Sequence, residues 1–258
     1  MRRAVAVISS DVMETIVLDF RIPTGWEALS DRQLRMVFSM LAGQFSSEEI
    51  KLLCLLRWNN VNVAARDGDC VLLKSRRSIF RVEVLALADI LHALDWMDSF
   101  PDVPVRLSRI GWRKALPGDF EEVPFGTFIM ADNLYQGYLA TRDEALLDDM
   151  AEVLYGGRVS LGPAERVSVF YWFASLKGFF ARRFSDFYQL AGDDGGNLLG
   201  ASPASVEDAM NAQIRALTKG DISKEKEILS LDTWRALAEL NAQAREYKYI
   251  NSKYGKNS

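Results

Sequence analysis

The sequence predicts a mainly α-helical protein: a helical body with a small β element, made of an N-terminal strand and one hairpin, plus a helical C-terminal arm. Three observations predict it. Apolar residues recur at helical spacing behind polar caps along most of the chain. β signals are confined to a Val/Ile/Thr-rich N-terminal run and one Asp-Gly-Asp turn. A Gly/Asp-rich stretch beginning at Ala191 separates two further helical patterns from the rest.

Taken in order, residues 5–22 alternate loosely and read as one or two strands ending at Ile22-Pro23. Ser30 caps a helix that places Leu34, Val37, Phe38, Leu41 and Phe45 on one face. Ser46 with Glu49 forms a capping box, opening a second helix with Ile50, Leu53 and Cys54 facing inward. The runs 61–66 and 70–74 flank Asp67-Gly68-Asp69, where glycine tolerates positive φ, and read as a hairpin. A helix is expected from Glu83 through Leu87, Leu91 and Leu94 to Met97. Prolines and glycines between 101 and 124 then give a long irregular connection, either a loop or short strands.

Helices are expected next at 125–139 and at 142–155, the second capped by Thr141 with Glu144 and stopped by Gly156-Gly157. Pro163 suits the first turn of a long helix reaching Leu190. The organisation is therefore a body over 1–190, a flexible linker over 191–202 and a helical arm over 203–258. In the arm, Ser202-Pro203 starts a helix carrying Val206, Met210, Ile214 and Leu217 that ends at Gly220, and Ser223 opens a long one. The spacing of Leu237, Leu240, Ala244 and Tyr247 is coiled-coil-like, which is compatible with a homo-oligomer but too short to demand one. The sequence leaves open whether the arm folds back on the body.

Composition narrows the chemistry. Of 258 residues, 49% are apolar and 26% charged, the balance of a soluble globular protein, and the net charge of −4 is too small to act as a long-range field. One histidine and two cysteines exclude a Cys/His zinc site and a disulfide framework, and no metal or cofactor is expected. The N-terminal apolar run is too short for a signal peptide, and the apolar stretch 167–181 is shorter than the roughly 20 residues that span a bilayer, so a cytoplasmic protein without membrane contact is expected.

Candidate reactive groups have ordinary explanations. His92 lies between Asp89 and Asp95 at a spacing of three, yet Leu91, Leu94 and Trp96 around it suggest packing on an apolar face. Cys54 and Cys70 lack the basic neighbours that activate a thiol and read as buried small hydrophobes. Asp143, Glu144, Asp148, Asp149 and Glu152 complement a helix N-terminus and form an acidic face. Neither GxGxxG after a strand nor Gly-Lys-Ser/Thr occurs, so the chain lacks the usual phosphate loops. No catalytic residue is expected, and a non-enzymatic role follows.

Two features suit binding. Arg76 and Arg77, with Arg109 and Arg113 around Trp112, form a basic patch for phosphate or an acidic partner, though the acidic net charge disfavours nucleic acid. Nine aromatics crowd positions 170–188 on every side of one helix, which makes that helix central to the body or, alternatively, a partner's contact.

The run Phe20-Arg21-Ile22-Pro23-Thr24-Gly25-Trp26-Glu27-Ala28-Leu29-Ser30 and the segment Thr218–Glu227 leading into Leu231–Leu237 resemble proteins of bacteriophage and prophage tail modules. The C-terminal segment is similar to the helical ends of tail assembly chaperones. The resemblance covers under a fifth of the chain. It implies a protein-interaction factor in virion assembly, working in the bacterial host cytosol on a client such as a tail tube or tape-measure protein. On that reading the arm engages a partner helix through Trp234, Leu237, Leu240 and Tyr247, and deleting 203–258 leaves the body folded. The alternatives are a structural virion adaptor or a nucleic-acid-binding accessory protein.

Overall fold

A computed structural model describes residues 2–8, 16–76, 78–193 and 214–254, and the protein is mainly α-helical with small antiparallel sheets. The chain divides into two compact units, Met1–Pro101 and Asp102–Ser258. The boundary expected at 191–202 lies outside the described residues apart from 191–193, which finish a helix.

In the first unit, strand β1 (Arg2–Ile8) pairs antiparallel with β2 (Ile16–Ile22), matching Arg2 with Ile22 and Ile8 with Ile16. Along the end of β2, exposed Asp19 and Arg21 alternate with fully buried Phe20 and Ile22, the period of a half-buried strand. Both expected caps form, the one at Ser30 also as a full capping box. Ser30 opens α1 (Asp31–Leu41) with Gln33 reciprocating, and Ser46 opens α2 (Ser47–Trp58) with Glu49. Leu34, Val37 and Phe38 are buried as expected, but α1 stops at Leu41, so Phe45 falls beyond the helical register and is exposed. Leu53, expected inside, is also exposed; Ile50, Cys54 and Leu55 carry the inner face of α2.

The Asp67-Gly68-Asp69 hairpin forms between β3 (Val61–Asp67) and β4 (Cys70–Ser75), with Gly68 at φ 57°. A third strand, β5 (Ser78–Glu83), extends it into a meander. Exposed Ile79, Arg81 and Glu83 alternate there with buried Phe80 and Val82. The expected helix up to Met97 is α3 (Val84–Leu91) followed by 3-10 turns over His92–Asp98. These elements bury Phe20, Ile22, Leu55, Leu73, Phe80, Val82, Ile90 and Leu94 together. Trp26 packs edge-on against Trp96 at 5.4 Å and donates its indole N–H to the Ser99 carbonyl.

In the second unit the irregular connection after Pro101 is a layer of the core and carries a two-residue hairpin, β6 (Arg109–Ile110) with β7 (Arg113–Lys114). Helices α4 (Phe125–Thr141), α5 (Ala145–Leu154), α6 (Pro163–Arg183) and α7 (Ser185–Asp193) follow. Beyond the undescribed residues come α8 (214–218), α9 (Glu225–Ser230) and α10 (Thr233–Tyr254). The start of the expected helix at Ser202-Pro203, with Val206 and Met210, lies outside the described residues; its end at Gly220 is seen, at φ 82°.

Three helix boundaries differ from expectation. Thr141 does not cap α5: it closes α4, Arg142 takes a left-handed conformation, and the Asp143 carboxylate accepts the Ala145 N–H. The long helix from Pro163 breaks at Phe184, and the one expected from Ser223 breaks at Leu231-Asp232. That second break is tertiary in origin, because Phe125 donates its N–H to Leu231 and Thr233 donates to Val123, bridging the two segments.

Helix α6 is the axis of this unit, which resolves the aromatic-rich segment as core. Trp172, Phe173 and Phe180 are fully buried. The Ser168 and Ser175 hydroxyls accept the Leu107 and Val105 backbone N–H groups, and the Trp172 indole donates to Gly118, so α6 also holds the connection in place. The C-terminal helices pack on the rest of the unit. Asn241 of α10 accepts the Phe187 N–H, and Asp186 pairs with Arg245 and Lys248. Among the described residues no helix is long and apolar enough to cross a membrane.

Candidate functional site

The β6–β7 hairpin projects one side chain. Gly111, at φ 58°, lets the chain reverse within two residues, and Trp112 beside it is 73% exposed. Ile110 and Ala115 anchor the hairpin in the core. The Arg113 guanidinium lies 3.9 Å from the Trp112 ring centroid and donates to the Gly156 carbonyl at 2.8 Å. Gly157 is required there: a Cβ on it would stand 2.8 Å from the Arg113 guanidinium, and its φ of 129° disfavours any side chain. Gly156-Gly157 thus seats an arginine besides ending α5. Arg109 donates to the Trp112 carbonyl, and exposed Lys114 completes the basic rim. The result is a preorganised indole flanked by cations.

The residues of the expected basic patch fall in both units. Arg76, exposed at φ 53° between β4 and β5, belongs to the first unit, while Arg109 and Arg113 belong to the second. Arg77 lies outside the described residues. Arg113 is committed to Gly156 and Trp112, so it acts as a support for the indole as much as a free charge.

The expected client seam on α10 is corrected. Leu237 is fully buried, Leu240 nearly so, and Trp234 packs against Phe179, Phe180 and Phe184 while donating its indole N–H to Asp119. The apolar face that would meet a partner is satisfied within the second unit. Tyr247 alone of the four is open, at 56%.

His92 is also corrected. Its side chain is 74% exposed, with Nδ1 3.1 Å from an Asp95 carboxylate oxygen, and it is off the apolar face formed by Leu87, Ile90 and Leu94. Asp95 leads to a polar network that sequence patterning missed, since its centre is a lysine inside the apolar face of α2. Buried Lys51 donates to Asp95 at 2.8 Å and also to Asp98, which accepts from Ser47. Hydrogen bonds from Lys51 first, then from His92 or Ser47, hold the Asp95 and Asp98 carboxyls below their usual range. Burial alone would lower the Lys51 pKa, but the bonds to these carboxylates outweigh it and raise the ammonium.

Burial pushes the Cys54 thiol up to about 12, the opposite of activation, and Cys70 is buried as expected. In the acidic cluster, Arg166 binds Asp148 through two hydrogen bonds and reaches Glu144 at 3.1 Å, so these carboxylates tie α5 to α6. Among the described residues no group of His, Cys, Asp and Glu is arranged to hold a metal ion. Set beside family models, curated proteins and solved structures, the chain matches none.

Proposed function

We propose that the protein is a non-enzymatic interaction factor that engages a protein partner through the Trp112 hairpin. The observation that carries this reading is an exposed tryptophan fixed on a two-residue turn, with Arg113 stacked on one side and Arg109 bonded beneath it. Tryptophan and arginine are the residue types that dominate binding energy at interfaces, and rigidity lowers the entropy lost on binding. The resemblance of Phe20–Ser30 and Thr218–Leu237 to tail-module proteins supports virion assembly in a bacterial cytosol as the setting, with tail tube or tape-measure proteins as clients. This reading requires no cofactor.

Trp112→Ala in the full chain should weaken binding to purified tail tube or tape-measure protein by about 2 kcal/mol or more, roughly thirtyfold, measured by calorimetry. The melting temperature should not change, because the side chain rests on the surface. Binding to both clients that is absent, or unaffected by the substitution, overturns the proposal. Binding of an oligonucleotide lost with Trp112→Ala replaces it with the nucleic-acid reading.

A further inference from the structure

The first unit holds a second, independent feature. A cleft of about 710 Å³ opens beside α1 and the end of α2, lined by Arg32, Arg35, Met36, Arg57, Trp58 and Asn60 among others. Arg32 and Arg35 stand one helical turn apart, so they share a face of α1. Arg57 occupies the last turn of α2, and Asn60 at φ 54° turns the chain away into β3. Among the described residues neither Arg32 nor Arg57 has a carboxylate partner. Three arginines thus line one cleft in a chain whose net charge is −4.

Trp58 forms an apolar wall of the cleft. Its ring packs against the apolar core of the unit, yet its buried indole N–H has no hydrogen-bond partner. The chain's net charge of −4 argues against nucleic acid. Guanidinium forks suit carboxylate oxygens.

We propose that this cleft seats an acidic segment of a protein partner, its carboxylates on Arg32 and Arg57. The site lies in the other unit from the Trp112 hairpin, so the two proposals stand or fall separately.

The test titrates the full chain into a fluorescent Glu-rich peptide, its Gln-substituted counterpart and a single-stranded oligonucleotide of equal charge, read by anisotropy. The Glu peptide should bind, more weakly as salt rises, while the Gln peptide should not. Arg32→Glu with Arg57→Glu should weaken binding at least about tenfold, with an unchanged circular-dichroism melt because both side chains are exposed. No binding of the Glu peptide, binding that survives the double charge reversal, or tighter binding of the oligonucleotide overturns the proposal.

Discussion

Lys51 shows how one residue can satisfy opposing demands. It sits in a helix face made of Ile50, Cys54 and Leu55, where an unpaired ammonium would be strongly destabilising. Asp95 and Asp98 compensate it from the 3-10 turns. The pH dependence follows from the directions of the shifts. The two carboxyls are depressed in the folded state, so their contribution is present above the unfolded value and is lost as pH falls below about 4. The Lys51 ammonium is raised, so its contribution is present below its unfolded value and is lost as pH climbs past about 10. Lys51→Met should therefore flatten the melting temperature against pH at both extremes. An acid limb unchanged by the substitution would show that the network contributes nothing. His92 could not be placed from sequence because its helical neighbours are apolar on several sides; only the turn of the backbone decides that it faces out. Cys54 could be placed, since it shares one face of a capped helix with Ile50 and Leu55.

Elements were legible where a local hydrogen bond or a backbone constraint defines them. Ser30 and Ser46 each accept the N–H three residues on, while Gln33 and Glu49 return the bond, and both starts can be read from the sequence alone. Ser46→Ala should cost about 1 kcal/mol, seen as a lower urea midpoint, and Ser46→Asp should restore most of it. If Ser46→Ala leaves the midpoint where it was, the cap is not contributing. The Gly68 turn was legible for the same reason, because its φ suits few other residues. Strand β5 was obscured by the arginines beside it, although Ile79-Phe80-Arg81-Val82-Glu83 alternates as a strand does. The break between α9 and α10 had no local signal: it is imposed by backbone bonds to Val123 and Phe125, more than a hundred residues earlier in the chain.

For the molecule as a whole, the division falls at Pro101 and not at the Gly/Asp-rich segment. Composition marks residues unable to build a core, but a boundary depends on where contacts cease, and α10 returns to α7 and α4 from beyond that segment. Ala236, Leu237, Leu240 and Ala244 are buried there, so α10 contributes to the core of the second unit. A chain ending at residue 232 should lose more helical ellipticity than α10 itself accounts for and should bind a hydrophobic dye through Phe179, Phe180 and Phe184. A loss confined to α10, without dye binding, would show that the second unit folds without it. Local sequence was enough to specify the helical class, the capped starts of α1 and α2 and the Gly68 turn, because short-range hydrogen bonding and backbone sterics act within a few residues. Packing between distant segments was needed to make α6 a buried axis, to occupy the α10 seam, to stand Trp112 clear on its hairpin and to line one cleft with three arginines and Trp58. Those outcomes depend on which apolar faces find each other across the chain, and periodicity shows that a face exists without showing what covers it.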